Sequence, residues 1–120
     1  MNDHRTMKAP SLWRQEPDEV ALLLLGKLAE ECNELGARAA RCMIQGIHQM
    51  DPDTQRGNLF ELQDEVADVL GLISLTVERL GLDMNHIVGR SQVKTDHKAE
   101  WLRMVEAARV KAAAPGDGEG

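Results

Sequence analysis

Two acidic pairs interrupt what would otherwise be the apolar stripes of two helices. Val20, Leu24, Leu28, Glu31, Leu35, Ala39 and Cys42 step by three or four, the period of an α-helix, so Glu31 stands where an apolar side chain is expected. Glu34 follows one turn later. Leu62, Val66, Val69, Leu70, Ile73, Val77 and Leu80 form a second stripe, and Phe60, Leu72 and Leu75 widen it. Glu65 and Asp68 fall inside it. Each pair is spaced i, i+3, so its two carboxylates share one helix face. A carboxylate taken out of water is costly unless something neutralises it, and four that converge repel one another. The simplest resolution is a hard divalent cation held among Glu31, Glu34, Glu65 and Asp68.

The rest of the composition fits such a fold. At 120 residues the chain makes one compact domain. It is 42% hydrophobic with no Tyr, one Phe and two Trp, so the core is aliphatic and suits helix packing better than sheets. The expected fold is an all-α helical bundle. The second helix is apolar on most sides, which places it centrally or shares it between subunits, so the core is completed by oligomerisation. The formal charge is -6 with no long basic run, which argues against nucleic acid as a partner. No apolar run is long enough for a membrane, and residues 1–9 lack the apolar segment of a secretory signal. Cys32 and Cys42 lie ten positions apart in one helix, ~15 Å along its axis and too far for a bridge. Both read as reduced packing residues of a cytoplasmic protein.

The local signals divide the chain into an N-terminal extension (1–16), a helical domain (17–111) and a disordered tail (112–120). Ser11 could cap a short turn before Pro17, and Pro17 suits the first turn of the helix that follows. The first long helix is expected over Asp18–Gln45, with Gly46 as its stop. A polar loop, Asp51 to Gly57, follows. The second helix runs from Asn58, a good N-cap, to Leu80, and Gly81 ends it. Asp83 caps a third, over Met84–Lys111.

Local partners offer less demanding accounts of several acids. Glu30 reads equally well as a surface residue, Glu34 could pair with Arg38 and Lys27 with Glu31. The metal chemistry is narrowed by what is missing. No His stands three residues after a Glu, as di-iron bundles require, and the cysteines lack zinc spacing. An all-oxygen site favours Mg²⁺ or Mn²⁺. Asp51-Pro-Asp53 is no calcium loop, because Arg56 and Leu62 replace its glycine and closing glutamate.

Glu30-Glu-Cys-Asn-Glu34 on one helix, followed by Glu65-Val-Ala-Asp-Val-Leu70 on the next, resembles the MazG-like all-α nucleotide pyrophosphohydrolases. Lys27-Leu-Ala-Glu-Glu-Cys-Asn-Glu-Leu35 is similar to that family's first metal helix, Glu61 to Leu70 to its second, and Gly81-Leu-Asp83 to the turn before its third. The resemblance covers about residues 20–100. It implies Mg²⁺ ligation by Glu31, Glu34, Glu65 and Asp68, with Glu30 or Glu34 free to take a proton from water. It implies cleavage of nucleoside triphosphates to a monophosphate and pyrophosphate by a homodimer or a dimer of dimers, in the service of cleaning the nucleotide pool. Lys94 and Lys98 loosely match the basic positions of the third helix, so they and Lys27 are candidates for phosphate. Trp13 either stacks on a base or anchors the N-terminal segment. The spacer from 35 to 64 is long for the pattern. Phosphoribosyl-ATP pyrophosphatases are also similar, but carry a His where this chain has Leu72. A non-catalytic cation-binding helical module is the remaining alternative.

Overall fold

A computed structural model describes residues 9–115. Three helices make up its regular structure: α1 (Glu19–Gln45), α2 (Asn58–Leu80) and α3 (Met84–Ala113). The chain divides into two compact units, Met1–Leu82 and Asp83–Gly120. Residues 10–16 carry no helical turn, so Ser11 caps nothing there. The expectations for residues 1–8 and 116–120 lie outside the described residues.

The caps explain where α1 and α2 begin and end. Asp18 is the N-cap of α1, and its Oδ1 accepts from the Val20 amide at 3.0 Å. That spares one of the orphan amides of the first turn, and it sets Pro17 before the helix rather than inside it. Gly46 stops α1 with φ 101°, where a Cβ would meet the Gln49 side chain at 3.1 Å. Gly81 ends α2 in the left-handed region at φ 66°, a conformation that glycine adopts without steric cost. The N-cap of α2 is Gly57, which supplies no side-chain hydrogen bond. Asn58, expected there, is instead wholly buried.

Helices α1 and α2 form an antiparallel hairpin. Asp18 and Leu24 at the start of α1 share a cavity with Glu78 and Leu80 at the end of α2. At the other end, Cys42 Sγ lies 3.7 Å from the Asn58 carbonyl. To the facing seam α1 brings Glu31, Glu34, Arg38 and Cys42, and α2 brings Asp68, Glu65, Glu61 and Asn58, in matching order. Besides the buried polar side chains, the two helices carry Leu24, Leu28, Leu35, Leu62, Leu72 and Val77 half-buried. Of the hydrophobic side chains among the described residues, only Cys42 and Val69 are buried. Cys32, expected to pack, is exposed. Leu23, Leu25, Leu70, Ile73 and Leu75 are exposed in the single chain.

The connection between the helices is tied down at several points. Met50 and Gly57 form an isolated antiparallel bridge. The Asp51 amide donates to the Arg56 carbonyl at 2.8 Å, and the Asn58 amide to the Gln49 carbonyl at 2.9 Å. Asp51 Oδ1 accepts from the Asp53 amide at 2.8 Å, a local turn that suits Asp.

The third helix is described by itself. Asp83 caps it as expected, its Oδ1 accepting from the His86 amide at 3.1 Å. It continues past Lys111 to Ala113, because Ala112 and Ala113 are strong helix formers. None of its residues is buried.

Candidate metal centre

The hairpin brings the two acidic pairs together. Glu31, Glu65 and Asp68 each offer a carboxylate oxygen, and the three oxygens all lie within 4.8 Å of one another. Such a group could hold a metal ion. Glu34 is exposed and stands outside this trio, yet close enough to act on both Glu31 and Glu65. The helical period accounts for the convergence. Steps of three along both helices keep each pair on its face, and the antiparallel hairpin sets those faces against one another.

The cluster lacks compensation. Glu31 Oε2 and Glu65 Oε2 are buried without a hydrogen-bond partner. Polar atoms left in that condition are uncommon in folded proteins and call for an explanation, an ion among them. No ion pair among the described residues reaches Glu31, Glu34, Glu65 or Asp68. Burial raises the Glu31 carboxyl above its ordinary value, and Glu34, Asp68 and Glu65 push it further. Burial likewise raises Glu65, with Glu34 and Asp68 adding to it and Arg38 opposing.

Those shifts have a consequence for stability. A raised carboxyl pKa means that the folded chain holds its proton more tightly than the unfolded chain does. Stability is therefore lost as pH rises through the unfolded value, near the ordinary 4.5, and the loss is complete above the raised folded value. Asp51 acts in another window. Its hydrogen bond from Arg38 draws it below the ordinary 3.8, so its contribution is present above that value and disappears only as pH falls through the lowered one. The melting temperature without metal is expected to fall as pH rises above the ordinary carboxyl value of 4.5. A cation held among these carboxylates would flatten the profile. A metal-free melting curve independent of pH over that range would contradict the convergence of these carboxylates.

Every local ion pair read from the sequence is replaced by a different one. The Lys27 ammonium donates to Glu30 Oε2 at 3.2 Å rather than pairing with Glu31, so Glu30 and Lys27 stand together on the exposed side of α1. Arg38 does not pair with Glu34. It turns to Asp51 at 2.5 Å, to Asn58 Oδ1 at 3.3 Å and to Glu61 at 3.5 Å. Arg38, Asp51, Asn58 and Glu61 are all buried. Asn58 Nδ2 donates onward to Gln45 Oε1 and the Gly46 carbonyl, both at 3.0 Å. Arg56 completes the group, with Nε 3.0 Å from Glu61 and its guanidinium 4.3 Å from the Phe60 ring centre. Sequence reasoning missed this network. One signal was available: Arg38 and Glu61 lie four residues beyond Glu34 and four before Glu65, on the same two faces.

Trp13 precedes α1, and Lys94 and Lys98 lie on α3. Trp13 is fully exposed, with neither role assigned to it visible in its surroundings. Lys98 sits over the Trp101 ring at 5.6 Å. Lys94 shares a depression of α3 with His86, Arg90 and His97. Among the described residues no helix is long and apolar enough to cross a membrane. No protein-family model, curated protein or solved structure matches the chain.

Proposed function

We propose that the chain is a Mg²⁺-dependent nucleotide pyrophosphohydrolase of the MazG-like kind, cleaving nucleoside triphosphates to monophosphate and pyrophosphate. The observation that carries the reading is the pair of buried, unpartnered oxygens, Glu31 Oε2 and Glu65 Oε2, inside a cluster with no basic partner among the described residues. The donor set fits the ion. It is all carboxylate, which suits a hard cation. Three carboxylate oxygens within 4.8 Å of one another could converge on one cation by side-chain adjustment.

Glu31, Glu65 and Asp68 would hold the ion, with Glu34 beside them. The bound ion supplies the positive charge that lets a triphosphate approach four carboxylates and that offsets charge on the breaking P–O bond. The protein's part is to fix that approach and to accept a proton. Glu34 suits the proton better than Glu30 does. It is exposed beside the cluster, whereas Glu30 is engaged by Lys27. A carboxylate within reach of the attacking water serves as its base. Lys94 and Lys98 remain assigned to phosphate by the family resemblance alone.

Assembly from more than one copy belongs to the same reading. A hairpin whose only buried hydrophobic side chains are Cys42 and Val69 lacks the core that a stable domain needs. Exposed apolar residues on α1 and α2 are available to complete it in a dimer or a dimer of dimers.

A hydrolysis panel tests the proposal. Common and modified NTPs and dNTPs, and then phosphoribosyl-ATP, are incubated with the protein in Mg²⁺ or in EDTA, and the same sample is sized by light scattering. Monophosphate plus pyrophosphate, formed only with metal and by an oligomer, is the expected outcome. Intact nucleotides throughout, or hydrolysis unaffected by EDTA, would overturn the enzymatic reading. A single-chain mass would overturn the assembly.

A further inference from the structure

The buried Arg38 lies one helical turn beyond Glu34, and its charge reaches Glu65, yet its ion pairs are made with Asp51 and Glu61. Its position on α1 continues the face of Glu31 and Glu34, and Glu61 continues the face of Glu65 and Asp68 on α2. Arg38 would be the natural internal counter-charge for Glu65. Its guanidinium is drawn instead toward the loop, to Asp51 at 2.5 Å and Asn58 at 3.3 Å, with Glu61 at 3.5 Å. Asp51 is wholly buried and held by the loop backbone at its amide and at Oδ1. It is a fixed anion and cannot follow Arg38 elsewhere.

The charges on this side of the hairpin balance without the cluster. Arg38, Arg41 and Arg56 face Asp51, Glu61 and Asp64, three positive against three negative. The four carboxylates next to them are left to a cation from solution. We propose that Asp51 is a positioning residue for the metal centre, a loop-borne anion that holds the Arg38 guanidinium off Glu65 and keeps the cluster open to a divalent cation. This rests on the metal reading given above.

With Asp51 neutralised, Arg38 keeps its charge, loses its strongest partner and swings toward Glu65, competing with the ion. Groups behind the ligands of a metal site commonly change its affinity by about 10–100-fold. The test is calorimetric titration of Mg²⁺, and separately Mn²⁺, into the full-length protein, the Asp51→Asn variant and the double variant Arg38→Met/Asp51→Asn, with helicity verified by circular dichroism. Asp51→Asn is expected to bind at least about tenfold more weakly, and the double variant to recover wild-type affinity. Recovery separates displacement of Arg38 from mere loosening of the loop, which removing Arg38 would not repair.

Binding by Asp51→Asn equal to that of the wild type would overturn the inference, as would a double variant as weak as the single one. If Asp51→Asn does not fold, the double variant decides by itself. Wild-type affinity is expected there, and a tenfold loss overturns the inference. A wild-type protein that takes up neither cation would overturn the metal reading and this inference with it, an outcome distinct from unchanged binding in the variant.

Discussion

Asp68→Asn is expected to lower metal-dependent hydrolysis about a thousandfold or more, on the order of 4 kcal/mol of transition-state stabilisation, while the metal-free fold stays intact or gains stability. Asp68 is the exposed member of the trio of carboxylates, so an amide of nearly the same shape costs little packing. It raises the carboxyls of both Glu31 and Glu65 by repulsion. Removing its charge relieves both and takes away one ligand oxygen's full negative charge. Activity and stability should therefore move in opposite directions, as is common where a site keeps like charges close for function. Steady-state hydrolysis and a metal-free thermal melt on one preparation read the two together. Turnover within tenfold of the wild type would remove Asp68 from the site.

Arg38→Met should destabilise the hairpin by about 3–5 kcal/mol, because it leaves two carboxylates buried without their shared partner. Asp51 is 0% and Glu61 9% exposed, so water cannot take the place of the guanidinium. The contrast is Arg41→Met. Arg41 approaches the same Asp51 oxygen only to 3.8 Å and is half-exposed, and exposed pairs of that kind contribute about 0–1 kcal/mol. Urea midpoints for the two variants decide the matter. Equal losses would mean that Arg38 acts as an ordinary surface cation and that the loop network does not hold the hairpin together.

Much of this molecule was legible in the residue order, and the successes share a scale. The ends of α1 and α2 and the start of α3 were read from Gly46, Gly81 and Asp83, whose effects reach only to the nearest turn. The facing of Glu31 with Glu65 and Asp68 followed from spacing plus the cost of stranding carboxylates in apolar stripes. The misreadings share a scale too. Asn58 looked like a cap because caps are chosen by residue type, but its side chain was drawn inward by Gln45 and the Gly46 carbonyl. Glu34 looked like the partner of Arg38 because it lies one turn away. A buried Asp51 thirteen residues further on won that guanidinium, since charge pairs are far stronger where water is excluded.

The sequence by itself determined the helices and the face on which each acid sits, because backbone propensity, capping and the 3.6-residue period act within a turn or two of the chain. The tertiary structure decided which of those acids are neutralised and which are left open. Glu30 is taken by Lys27, and Glu61 by Arg38 and Arg56, while Glu31, Glu65 and Asp68 are brought together with no basic partner among the described residues. Electrostatic partnership depends on distance through space and on exclusion of water. Neither is set until α2 folds back along α1.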